Sequence, residues 1–190
     1  MISVMTFANA LLDRAGEKTI KVTHLKLQKL AYYCQGLHLA VYDLPLFSDE
    51  FEAWRHGPVV STLYHEYKKY GEQFIPHEPG KAFFALTPEN QGMIDFVLES
   101  LGNSGEWALV HSTHDEAPWK GVYVPMAYGG AAITKQSLKS YFDSVLVSKQ
   151  DEQLAAVMDT YLKSIATTDR VRLPKAVTSE DDFLSWVKNA

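Results

Sequence analysis

The chain has 190 residues, of which 46% are hydrophobic, 12% aromatic and 22% charged, so it needs neither a disulfide nor a metal to build a core. Its net charge of -5 argues against a general nucleic-acid binder, which carries a basic face to neutralise phosphates. A single cysteine, Cys34, forbids an internal disulfide, the start does not read as a signal peptide, and no apolar run reaches the roughly 20 residues that span a bilayer, so a cytoplasmic location is expected.

Apolar residues Val4, Phe7, Ala8, Leu11 and Leu12 recur at helical spacing, which predicts a first amphipathic helix stopping near Gly16. Thr23 is suited to cap a second helix running to about Tyr42, with Leu27, Leu30, Ala31, Cys34 and Leu37 on one stripe. Lys26, Lys29 and Gln35 fall off that stripe. Together with Lys18 and Lys21, the two lysines are expected on a solvated helix face rather than in a basic binding patch. Cys34 reads as a small core residue, not a reactive thiol.

Phe47, Asp49, Phe51 and Ala53 alternate with polar residues, which predicts a short strand within residues 46–54. Trp54, Arg55, His56, Gly57 and Pro58 then form a turn, with Pro58 placed to open a helix that carries Leu63, Tyr64, Tyr67 and Tyr70. Residues 74–86 read as loop, with room for a short strand over 81–86. Thr87 and Pro88 start a helix with Ile94, Val97, Leu98 and Leu101 on its inner face. Ser104 is expected to cap a short helix through Trp107, Leu109 and Val110, ending near Thr113 and His114 and followed by a turn at Pro118 and Trp119. Thr134 caps a helix with Leu138, Tyr141, Phe142 and Val145, and a further helical region with Tyr161 and Trp186 is expected beyond it. The fold class is mainly α: a compact single-domain, bundle-like fold with a small β element in its first half.

No phosphate-binding glycine loop, nucleophile elbow or H-E-x-x-H motif is present. The best metal candidate is His111 with His114, three apart on one helix face, with Asp115, Glu116 and His56 as further donors. Zinc takes three or four protein ligands and two are visible at convincing spacing, so no metal, no cofactor and no catalytic residue are assigned. His114 is instead expected to hydrogen-bond locally at the helix end.

One ordered set of motifs stands out. Residues 26–33 (KLQKLAYY) come first, then Pro45-Leu46-Phe47, Phe51-Glu52-Ala53-Trp54 and His56-Gly57-Pro58-Val59-Val60 with Tyr64. Leu109, Thr113-His114, Pro118-Trp119, Ile133 and Tyr141-Phe142 follow. Together they resemble the Panacea domain, the SocA-like antitoxin family also found in phage-associated proteins. The resemblance implies the antitoxin half of a bacterial or phage toxin–antitoxin pair, direct binding of a protein toxin, no enzymatic activity, and in one branch delivery of the toxin to a protease. It divides the chain into an N-terminal helix (1–21), the domain (22–146) and a C-terminal helical extension packed on it (147–190). Residues 1–21 are too few for a helix-turn-helix module, so DNA-binding autoregulation ranks below the antitoxin reading, as does a metal-dependent hydrolase built on His111 and His114. The motif residues Trp54, Arg55, His56, Gly57, Pro58, Tyr64, Thr113, His114, Pro118 and Trp119 are expected mainly to specify the fold. The extension, with Tyr161, Trp186, Arg170, Arg172 and Lys175, is expected to supply partner specificity.

Overall fold

The computed structural model describes residues 1–76, 80–125 and 130–148. Its organising element is helix α2 (His24–Tyr42). The Thr23 hydroxyl accepts from the Lys26 amide to cap its start, and Asp43 ends it in the left-handed conformation at φ 55°. Every residue of 26–39 is buried, because other elements cover α2 on all sides. Helices α1 (Val4–Glu17), α3 (Ser61–Tyr67), α4 (Pro88–Leu101), α5 (Glu106–Asp115), α6 (Ala117–Lys120) and α7 (Lys135–Ser148) are arranged around it, and α2 packs directly on α3, α4, α5 and α7.

A three-stranded antiparallel sheet completes the shell, with β1 (Phe51–Trp54) between β2 (Gly57–Val59) and β3 (Ala131–Ile133). Trp54 pairs with Gly57, Ala53 with Pro58 and Phe51 with Ile133. Alternation along β1 sends Phe51 and Ala53 inward and leaves Glu52 and Trp54 half-buried. Inside, Tyr32 meets the edges of Phe51 and Phe142 at 5.7 and 5.6 Å, and Phe7 meets Phe47 at 5.2 Å. Burying each such ring contributes roughly 1.5–3 kcal/mol.

Several elements differ from the sequence expectation. Lys26, Lys29 and Gln35 are buried rather than solvated: Lys29 and Gln35 are each 0% exposed. The strand starts at Phe51 and belongs to a hairpin, with Arg55 and His56 as its two-residue connection. Pro58 therefore lies in β2, not at a helix start; β2 is an edge strand, where a residue without an N–H is tolerated, and the helix begins three residues later at Ser61. Residues 83–85 form a 3₁₀ turn instead of a strand. Helix α5 starts from Gly105 with no side-chain cap, so Ser104 does not cap it. Pro118 and Trp119 sit in the one-turn helix α6 rather than an open turn. The expected region beyond α7, including Tyr161, Arg170, Arg172, Lys175 and Trp186, lies outside the described residues.

The Thr23, Thr87 and Thr134 caps each accept a backbone N–H as expected, and Cys34 is fully buried, with its thiol pushed up by burial.

Candidate interaction site at the hairpin end

Helices α2, α3, α5 and α6 meet at the end of the β1–β2 hairpin. From α2, the polar side chains reach outward and take over backbone groups of the surrounding loops. Gln28 donates from Nε2 to the Val60 carbonyl (3.2 Å) and accepts from the Val60 amide (2.8 Å). Gln35 does the same one level along, donating to the Phe47 carbonyl (2.9 Å) and accepting from the Leu46 and Phe47 amides (2.9 and 3.2 Å). Lys26 donates to the Gly102 carbonyl and Lys29 to the Pro58 carbonyl, the latter at 2.8 Å. Each loop thus finds on a helix the partner that a neighbouring strand would otherwise provide.

Lys29 has no carboxylate against it among the described residues, and burial lowers its pKa from the ordinary 10.5 to about 7. Its amine lies under Gly57. That glycine has φ 92°, and a Cβ placed on it would stand 2.7 Å from Thr113 Oγ1 and 2.8 Å from Lys29 Nζ. Glycine is required there both for the backbone angle and for the space. Thr113 is itself fully buried, its hydroxyl donating to the Val110 carbonyl at 2.9 Å.

Outside this layer the aromatic residues lock the hairpin to α3, α5 and α6. Trp119 donates from Nε1 to the Trp54 carbonyl at 2.9 Å. The Trp54 ring stands edge-on to Tyr64 at 4.7 Å, and its own Nε1 donates to Glu52 at 2.8 Å. His114 stacks flat on Trp119 (4.0 Å, 15°), which stacks on Tyr123 (4.2 Å, 18°). The expected local hydrogen bond of His114 is not seen: its Nε2 is buried without a partner, and burial, followed by the nearby Lys29, His111 and His56, lowers its pKa. The carboxylate of Glu116, buried between α5 and α6, accepts from the Tyr33 hydroxyl at 2.8 Å.

The ten motif residues therefore gather in one region but divide by exposure. Gly57, Pro58, Thr113, Pro118 and Trp119 are buried, Trp54, Tyr64 and His114 are half-buried, and Arg55 and His56 are exposed at the tip. His111 points to solvent, Glu116 is engaged by Tyr33, and no group of three or more His, Cys, Asp or Glu could hold a metal ion among the described residues. Sequence reasoning passed over Gln28, Lys29, Gln35 and Tyr33 as fold-bearing polar residues, and Trp107 as an exposed ring. The signal for the first group was present: apolar residues surround α2 on every side, which is the pattern of a wholly buried helix.

Residues 27–120 match the family described as antitoxin SocA-like, Panacea domain. Over 129 residues the chain is 30% identical to the antitoxin SocA of Caulobacter vibrioides (strain NA1000 / CB15N), an alignment covering 62% of this chain and 69% of that protein. No solved structure matches. Among the described residues no helix is long and apolar enough to cross a membrane.

Proposed function

Since this chain belongs to the antitoxin SocA-like, Panacea domain family, we propose that it neutralises a cognate protein toxin by binding it directly. The observation that carries the reading is the match over residues 27–120, whose span takes in all but the first three residues of the buried α2, and the hairpin and α5–α6 in full. The chemistry of the region supports a binding role over catalysis. Its thiol is sealed in the core, its buried lysine is committed to a carbonyl, His114 stacks on Trp119, and His56 and His111 face water. The protein acts in the cytoplasm as a non-enzymatic regulator. Handing the bound toxin to a protease is the finer form of the same role.

The test is co-expression of the full chain with the protein encoded beside it, followed by growth assay and co-purification. Growth rescue with a stable complex is the expected result. A neighbour that is toxic alone, yet is neither rescued nor bound, would sink the proposal. The adaptor form predicts in addition that the toxin's half-life in cells shortens when this chain is present and lengthens when the cell's ATP-dependent proteases are deleted.

A further inference from the structure

The outer side of the hairpin end carries rings and charges that the core does not use. Trp107 on α5 is 52% exposed, although a tryptophan is usually mostly covered. Its ring has a fixed neighbour all the same: His56, at the hairpin tip, stands edge-on to it at 5.4 Å and 88°. His111 lies one turn further along the same face of α5 and is exposed, as is Arg55 beside His56. Behind the tip, Lys68 holds its ammonium 5.7 Å over the Tyr64 ring, which packs on Trp54.

Several cations elsewhere are matched by carboxylates: Arg14 with Asp95 and Glu17, Lys18 with Asp95 and Glu99, Lys139 with Asp43 and Asp143. Arg55 and Lys68 have no ion-pair partner among the described residues. Glu106, which adjoins Trp107 in sequence, has its carboxylate taken by the Thr23 hydroxyl. Asp115, four residues beyond His111, is the one exposed acid that continues this face of α5 among the described residues. An acidic chain thus presents here an exposed tryptophan beside an arginine that has no ion-pair partner among the described residues, two of the residue types that dominate binding energy. The spot is also rigid, because Lys29, Gln28 and Trp119 pin the hairpin beneath it, so little ordering is lost when a partner docks.

The geometry points to Arg55, His56, Trp107 and His111 as the docking face for an acidic segment of a partner protein. A partner carboxylate meets the Arg55 guanidinium, which takes carboxylates through two parallel N–H donors, and an apolar side chain covers Trp107. The partner is the toxin, so the inference rests on the antitoxin reading and adds to it the surface and the chemistry of the ligand.

The experiment uses the full chain with Trp107→Ala and Arg55→Glu, each first shown by thermal melting to be folded, against the co-encoded toxin. Expected is wild-type rescue and binding, with affinity weakened about tenfold or more in each variant. For Arg55→Glu, affinity returns when one acidic residue of the toxin is changed to lysine. Variants that bind within about twofold of wild type would overturn the docking face while leaving the antitoxin reading intact. If the wild-type chain neither binds nor rescues, the reading itself falls, and the docking face with it. If instead the face binds a fluorescent single-stranded oligonucleotide with an affinity that Arg55→Glu abolishes, and the toxin complex is untouched, the partner class is wrong.

Discussion

The inner and outer sides of the hairpin end use similar side chains to opposite effect. Inside, Lys29, Gln28 and Gln35 are long polar residues with at most 2% exposure, and each replaces a missing backbone partner. Outside, Arg55, His56 and His111 are polar residues with solvent around them, one of them set against an exposed tryptophan. The difference teaches that residue type alone does not assign a polar side chain to surface or interior. What decides is whether an adjoining loop leaves amides and carbonyls that no strand pairs with. The inner set should therefore govern stability, and the outer set should be nearly silent in it.

The largest expected effect lies at Gln35. Replacement by leucine keeps the volume but strips the Leu46 and Phe47 amides and the Phe47 carbonyl of their shared partner. At about 1–3 kcal/mol for each buried group left unpaired, the loss is about 4 kcal/mol, read as a shifted midpoint in urea unfolding. A neutral Gln35→Leu would mean that the side chain merely fills space, and the contrast with the outer face would collapse.

Next comes Gly57. Alanine there meets an unfavourable φ of 92° and two buried atoms within 2.8 Å. Strain and overpacking together cost about 3 kcal/mol. Gly57→Ala also separates fold from surface: if its stability is restored with an osmolyte, any partner affinity carried by the exposed tip should recover with it.

Most helices were legible in the sequence because their ends carry local signals: Thr23, Thr87 and Thr134 each accept a backbone N–H as a cap should. The hairpin was only half legible. Period-two alternation marked β1, but β2 is three residues long with a proline in it, too short for any periodicity, and β3 pairs with β1 across nearly eighty residues of chain. The fate of Lys29 was illegible for a different reason. Its stripe position predicts solvent, and only the hairpin's return over α2, a long-range event, puts a carbonyl in reach. Trp107 reversed the usual expectation for a large ring, because its side of α5 has no covering element among the described residues.

A subtler effect separates the two sides by pH. Between about 7 and 10.5 the unfolded chain keeps the Lys29 proton that the folded chain has released, so raising the pH through this window favours folding. Below about 7 both states hold the proton and the cost of burying the charge is fully present. Wild-type stability should gain up to about 1.4 kcal/mol per pH unit from this group between pH 7 and 9. Tyr32 and Tyr67, whose phenols burial pushes up, work in the opposite sense at higher pH, so the informative quantity is the difference between wild type and Lys29→Met. That difference should grow steadily more favourable to wild type as the pH rises from 7 to 9. A pH-independent difference would place the Lys29 amine in contact with water.

The smallest expected change is on the outer face itself. Trp107→Ala removes a ring that is half in water and one edge contact with His56, a contact of the kind worth about 0.5–1.5 kcal/mol when buried and less here. Arg55→Ala removes an exposed side chain with no ion-pair partner among the described residues. Each should alter unfolding free energy by less than about 1 kcal/mol, and Arg55→Ala by about 0.5 kcal/mol at most. A loss as large as that of Gln35→Leu would show that Trp107 is part of the core's support and not a free ring. Near-silence in stability is therefore what the docking face requires: a surface selected for a partner should be one that the folded chain can lose without noticing.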